Sequence, residues 1–418
     1  MVPIIMKLIL GDNDPMCKQL FIGDHIFPGV WQYMMPREFV DIRFPSERRS
    51  TCMNCPKSCY EDYRPDYRCC TYNPRVPNFL LGFALESKNG PIIESLINKG
   101  ALIPEGMVNT PKQWTDYLDD IEHDRFGSSD QTLCPMLNPE NGYCNIHAFR
   151  NSVCSTFFCL KDHGSRGDQF WSDVQVLGLQ VETALSQWAL DYIGFDLSSY
   201  INRFDSLSEN IPAVSASNRF WSKSALKALW ADWYGREVDL FKKCAVAISD
   251  HRDVLWEIAN SFEIVEADKF DQAMVKSVPK DLQDQVDPDD YETGDPVSPL
   301  ELWHRCQKSL DKVWMLPDAK LELSPRVKIV QNSSEDQESI DKSDKPWIVN
   351  LLVRKGGKKV DFRLFMSDTE IIFLRLFEQK RVVDWRLLSQ EASRSMEDVR
   401  GFISELIGHK ILIKVRKV

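Results

Sequence analysis

Nine of the chain's twelve cysteines fall between Cys52 and Cys159, and their spacing is that of metal ligands. The first group is Cys52-Met-Asn-Cys55, then Cys59, then the adjacent pair Cys69-Cys70. The second is Cys134, Cys144, Cys154 and Cys159. Thiolate sulfur binds zinc and iron tightly, and a Cys-x-x-Cys turn lets two sulfurs reach one ion with little ordering of the chain. In extended backbone, neighbouring side chains point to opposite faces. The Cys69-Cys70 pair therefore points to two metals or to a multinuclear centre, and a disulfide between neighbours would be strained. Asn141-Gly142 supplies a tight turn ahead of Cys144. His147 and His163 stand beside cysteines, where they are expected to hydrogen-bond to ligands rather than to bind metal. Cys17, Cys244 and Cys306 lie apart and read as small core residues.

The order of these residues resembles the bacterial YkgJ-type cysteine-cluster family, whose members are described as zinc- or iron-chelating. The matching stretches are Cys52 to Cys55, Cys69-Cys70-Thr-Tyr-Asn-Pro, Cys134-Pro-Met-Leu137, Gly142-Tyr-Cys144-Asn-Ile146, Arg150, and Cys154-Ser-Thr-Phe-Phe-Cys159. They cover about residues 50–165. The resemblance implies eight metal ligands: Cys52, Cys55, Cys69, Cys70, Cys134, Cys144, Cys154 and Cys159. Cys59 is additional, and residues 59–68 separate the first group from the cysteine pair, where the family is more compact. The implied cofactor is an iron–sulfur cluster or Zn2+, in one or two centres. Eight thiolates saturate two tetrahedral ions, which favours a structural or electron-transfer role over hydrolysis.

The elements that must position these cysteines are mostly helical. Phe170, Val174, Leu177, Val181, Leu185, Trp188 and Tyr192 recur every three or four residues, the pattern of a long amphipathic helix ending before Gly194. A second helical region spans 219–262, with Trp221, Leu226, Leu229, Trp230, Trp233 and Leu240 on its apolar face. Short helices are expected at 79–86 and 92–98, the latter stopped by Gly100, with loop at 104–113. Residues 14–50, rich in aromatics and proline, read as an irregular lead-in. Residues 281–296 hold seven acidic groups and no base, a solvated linker, and 333–345 is a second polar linker, with a helix at 300–314 between them. In the last seventy residues, strand-like 347–353 and 360–365 flank Gly356-Gly357 as a hairpin. Ser367 with Glu370 forms a capping box for the helix at 370–378. Helices at 385–391 and 396–408 and a strand at 411–415 follow, an order similar to a winged helix.

The expected fold is mainly α with an irregular metal-bound cysteine-rich domain, α+β overall, and a small winged-helix-like domain at the C-terminus. The expected division is residues 1–165 for the cysteine domain with its lead-in, 166–280 for a helical layer, 281–345 for linkers, and 346–418 for the winged-helix-like domain.

Composition narrows the function. A net charge of -11 argues against wholesale binding to nucleic acid or an anionic membrane. Residues 346–418 are locally basic, with 15 Lys plus Arg against 9 Asp plus Glu. Their basicity lies in Arg354, Lys355, Lys358 and Lys359 and in Lys414, Arg416 and Lys417, while the helix at 396–408 carries Glu397, Asp398 and Glu405. A groove-reading helix needs bases, so a protein or peptide partner is expected there and nucleic acid is disfavoured. No apolar run approaches a membrane span, and residues 1–13 make a poor secretory signal. A cytoplasmic, reducing setting is the expectation, and dense cysteines there mean metal rather than disulfides. Two further readings stand beside a metal-binding protein with a protein partner. One is a cluster-dependent protein-modifying enzyme, since some YkgJ-type proteins are similar to the flagellin lysine methylases. Lys161, Asp162, His163 and Arg166 would then rim the metal, although a solvated helix lead-in accounts for them more simply. The other is a zinc-stapled regulator that binds a partner or DNA through the C-terminal domain.

Overall fold

A computed structural model describes residues 14–23, 25–45, 64, 66–67, 70–123, 125, 127–138, 140–158, 163–210, 220–266, 297–316, 320–331, 346–355, 358–380, 382–385, 388 and 396–415. The chain is mainly helical with small antiparallel sheets, and it divides into two compact units.

The first unit comprises Met1–Arg43, Lys57–Phe157 and Val174–His304. Its N-terminal stretch is more regular than expected. Strands β1 (Gln19–Ile22) and β2 (His25–Pro28) form a two-stranded ribbon, and a single-turn helix α1 (Trp31–Met34) follows. Phe27, Trp31 and Phe39 pack as a ring cluster with centroids 5.0 to 5.8 Å apart, which gives this short segment a core of its own. Strand β3 (Val76–Pro77) leads into helix α2 (Asn78–Leu85), and α3 (Gly90–Lys99) ends where Gly100 turns left-handed at φ 77°. Strands β4 (Leu102–Ile103) and β5 (Gly106–Met107) complete a small sheet in the order β3-β5-β4.

The expected loop at 104–113 is mistaken at its end, because helix α4 (Pro111–Glu122) starts there. Thr110 and Gln113 cap it reciprocally, with Pro111 in the first turn, a start signal present in the sequence. Helix α5 is short (Ser152–Thr156), whereas α6 is long (Gly164–Tyr192) and ends before Gly194 as the periodicity requires. The apolar stripe of α6 is buried from Phe170 to Leu185. Its last two expected members depart from the core: Trp188 and Tyr192 stack on each other, and both meet the edge of His251. Helix α7 (Leu197–Asn210) carries a further apolar face. The expected helical region at 219–262 is three helices, α8 (Lys223–Trp230), α9 (Glu237–Asp250) and α10 (Leu255–Ser261). Gly235 at φ 83° and a 3-10 turn at Arg252–Val254 break it. Helix α2 lies so close to α9 that a Cβ on Gly82 would stand 2.1 Å from the Phe241 carbonyl oxygen.

The second unit comprises Phe44–Pro56, Phe158–Asp173 and Arg305–Val418. Helix α11 (Pro299–Trp314), expected at 300–314, opens its C-terminal part. Residues assigned to linker then form strands β6 (Leu321–Leu323) and β7 (Val327–Gln331). These runs are too short to read alone. They are strands because distant partners fill their hydrogen bonds. Strand β7 pairs with β8 (Trp347–Lys355), which forms the expected hairpin with β9 (Lys358–Met366). Helix α12 (Asp368–Lys380) opens on the Ser367–Glu370 capping box. Strand β10 (Val382–Val383), helix α13 (Met396–Gly408) and strand β11 (Leu412–Lys414) follow, with β6 central in the order β10-β6-β11. Most of the expected helix at 385–391 lies outside the described residues. Its Trp385, with Leu388, joins one core with Val349, Leu364, Phe377, Val399, Ile403 and Leu406.

Gly82→Ala tests the closest helix contact of the first unit. Forcing a methyl against backbone should destabilise the protein by about 1–3 kcal/mol, read as a lower urea midpoint with an unchanged slope.

Candidate metal centre

Four of the eight expected ligands are described, Cys70, Cys134, Cys144 and Cys154, and all belong to the first unit. Cys52, Cys55, Cys69 and Cys159, and also Cys59, lie outside the described residues. The four described cysteines sit on three separate pieces of chain that local hydrogen bonds draw together. Cys134 donates its backbone N–H to the Cys70 carbonyl at 2.7 Å, joining the first cysteine group to the second. From Cys134 the chain turns back at Asn138, which accepts at its carbonyl from Gly142 N–H and donates to the Tyr143 carbonyl. Gly142 takes φ 63° in this turn, which side-chain-bearing residues rarely adopt. The return places Cys144 opposite Leu137 in an antiparallel bridge.

Cys154 is delivered by α5, whose cap is Asn151. The fully buried Asn151 side chain accepts from Cys154 N–H at 3.1 Å and donates to the Arg75 carbonyl at 2.8 Å. Helix α5 is fixed in turn against α6. A Cβ on Gly178 would lie 2.6 Å from the Ser152 Cβ, so only glycine admits α5 at this distance. One turn further on, Ser152 Oγ donates to Glu182 at 2.9 Å, and Thr156 Oγ1 donates to Gln175 at 3.3 Å.

Cys134 and Cys154 each feel the charges of other described cysteines. Burial pushes the Cys154 thiol up to about 12, with Cys144 and Cys70 adding to the shift and Arg150 opposing it. Cys134 is raised well above the ordinary thiol value by burial first, and then by Cys154, Cys70 and Cys144. Cys144 is raised by burial and drawn back by Arg150. Cys134 and Cys154 thus resist ionising beside their neighbours, and a bound cation would remove that resistance. No three of these sulfurs come within 4.8 Å of one another. Among the described residues the sulfurs are therefore not assembled around a single ion, and burial pushes the nearby Glu182 carboxyl up to about 8.

His147 is not placed as a ligand. Burial and the Arg150 charge push it down to about 4, so it is neutral. Its Nε2 accepts from Arg150 at 3.0 Å, and Nδ1 faces the Gln19 side-chain amide at 2.8 Å. His163 belongs to the second unit, buried against Trp314 with ring centroids 5.1 Å apart. Arg166, expected at a polar rim, donates instead to the Lys312 and Met315 carbonyls at 3.0 and 2.8 Å, satisfying the end of α11. Lys161 and Asp162 lie outside the described residues. Cys244 and Cys306 are fully buried core residues, as expected.

Among the described residues, the one group of three that brings ligand-type atoms within 4.8 Å is Asp119, Glu122 and His123, at the end of α4. Asp119 is already paired with Arg125, and His123 Nδ1 faces the Asp119 carbonyl at 2.9 Å. This is a helix-end ion-pair network on the surface.

Sequence reasoning passed over Asn151, Gly178 and Glu182. Their signal was present as a glycine and then an acid one turn apart within a long apolar helix. Compared with protein-family models, curated proteins and solved structures, the chain matches none.

Two outcomes follow from this geometry. Asn151→Ala removes the α5 cap and should cost about 1–2 kcal/mol, measured by chemical denaturation. Glu182 is raised from 4.5 to about 8, so the folded protein holds a proton that the unfolded chain releases. Stability should therefore fall as pH rises from about 4.5 to about 8. Glu182→Gln should flatten that slope in urea titrations across the range, and an unchanged slope would refute the assignment.

Proposed function

We propose that this protein binds metal through its cysteine cluster, as an iron–sulfur or zinc protein of the YkgJ-type kind. One observation carries the reading. Cys70, Cys134, Cys144 and Cys154, spread over 85 residues of sequence, lie near enough in the fold that, after burial, Cys154, Cys70 and Cys144 raise the Cys134 thiol, and Cys144 and Cys70 raise that of Cys154. Cysteines chosen only for core packing have no reason to gather. The other expected ligands, Cys52, Cys55, Cys69 and Cys159, would complete the centre or build a second one.

In this proposal the C-terminal unit serves recognition of a protein or peptide partner. Helix α12, strand β10, helix α13 and strand β11 follow the order of a winged helix, with β6 as an added central strand. The acidic residues of α13 favour a protein partner over DNA. The setting is the cytoplasm, where thiols stay reduced. Among the described residues no helix is long and apolar enough to cross a membrane.

The test is anaerobic purification with elemental analysis and a visible spectrum. Absorption near about 400 nm with iron and labile sulfide is expected for a cluster, and a colourless protein with stoichiometric zinc for a structural staple. Cys134→Ser and Cys154→Ser should each lower the metal content per chain. Cys244→Ser, in the helical core, should leave it unchanged. Wild-type protein carrying neither metal would overturn the reading.

A further inference from the structure

Strand β7 lies at the edge of the sheet β7-β8-β9. Its pairing with β8 sets Val327 opposite Leu351, Lys328 opposite Asn350 and Val330 opposite Ile348. Just before the strand, the Leu352 N–H donates to the Arg326 carbonyl at 3.4 Å. In an antiparallel ladder, hydrogen-bonded and non-hydrogen-bonded pairs alternate. Arg326, Lys328 and Val330 therefore turn their N–H and C=O groups toward β8, whereas Val327, Ile329 and Gln331 turn theirs to the outer edge. The Val327 N–H is used locally, donating to the Ser324 carbonyl at 3.0 Å. Left on that edge are the Val327 carbonyl and the N–H and C=O groups of Ile329 and Gln331. Among the described residues no strand pairs with them.

The side chains divide in the same alternation. Val327 and Ile329 are half-buried and pack against the core of the unit. Arg326, Lys328 and Val330 stand on the opposite face and are exposed, Val330 by 41%. Among the described residues neither cation is held in an ion pair. An open strand edge is read by extended backbone, with alternate side chains giving specificity. A segment laid along β7 would set every second side chain beside Val327 and Ile329, where apolar groups bury surface. The others would stand beside Arg326 and Lys328, where carboxylates are the complementary partners. A second copy of β7 would instead bring the cations of two chains onto one face. Edge lysines also guard sheets against unwanted pairing, and here that guard repels basic strands while admitting acidic ones. We propose that the outer edge of β7 is a docking site for an extended peptide that alternates apolar and acidic residues, taken up as a fourth strand of the sheet. The inference rests on the reading of the C-terminal unit as one that recognises a protein or peptide partner.

The probe is an end-blocked, fluorescent peptide of alternating valine and glutamate, titrated with the full chain and read by anisotropy. Saturable binding is expected, with slowed amide hydrogen exchange over residues 327–331. Gln331→Pro removes one outward N–H and spares the core, since proline is tolerated where an edge N–H faces solvent. It should weaken binding about 5-fold, the worth of one hydrogen bond. Lys328→Glu should weaken binding about 3- to 10-fold and strengthen that of the valine–lysine counterpart. A probe methylated on its peptide nitrogens should not bind, and that comparison decides alone if Gln331→Pro does not fold. Binding unaltered by both Gln331→Pro and methylation would overturn the β7 edge as the site, while leaving peptide recognition by the protein in place. No binding of the valine–glutamate probe at millimolar concentration would overturn the edge and the partner-recognition reading together. A dimer in sedimentation that Gln331→Pro dissolves would overturn the peptide in favour of a second copy of the chain.

Discussion

Four thiols brought near one another, Cys134 buried and Cys70, Cys144 and Cys154 half-buried, impose the constraint on which this part of the first unit depends. In low dielectric each thiol resists ionising, and each neighbour that does ionise deepens the resistance. Such a site is stable either as a set of neutral thiols or as a thiolate shell around a cation. Arg150 donates to the Ile26 carbonyl of the β1–β2 ribbon, His147 is kept neutral, and burial raises Glu182 toward its protonated form.

Helix α6 is the scaffold for this arrangement. Its apolar stripe anchors it in the core, and a second face carries Gln175, Gly178 and Glu182 at helical spacing. That face receives α5, and α5 carries Cys154. The glycine sets the distance while the two polar side chains set the angle, through Ser152 and Thr156. Asn151 then links the start of α5 to Arg75, just before β3. The position of Cys154 is therefore transmitted from a long helix through a five-residue one.

The second unit follows a different logic, that of a small core closed by strands from distant parts of the chain. Leu321, Val383 and Leu412 belong to three short strands that, among the described residues, pair with one another in the order β10-β6-β11. A crossing of two glycines closes the unit elsewhere. A Cβ on Gly408 would lie 1.9 Å from the His163 carbonyl, and one on Gly164 would lie 2.2 Å from the Gly408 carbonyl. At that point backbone meets backbone, which side chains on either residue would prevent.

By itself the amino-acid sequence determined the features whose causes are local. These include the long helix ending at Gly194, the Gly100 stop, the hairpin of β8 and β9, the Ser367–Glu370 cap, and the turn that Asn141-Gly142 makes before Cys144. Each depends on periodicity, capping or turn chemistry within a few residues, so it is legible without the fold. The same local signals located a helical region at 219–262 without its breaks, and they assigned Trp188 and Tyr192 to a core they do not enter. Only the tertiary structure decided the rest. Strands β6 and β7 exist because remote strands fill their hydrogen bonds, and Arg166 is diverted to the end of α11. Cys70, Cys134, Cys144 and Cys154 share a site because three pieces of chain are tied across it. The spacing of cysteines states which residues have the right chemistry. Their nearness to one another arises from contacts between residues too far apart in sequence for any local pattern to encode.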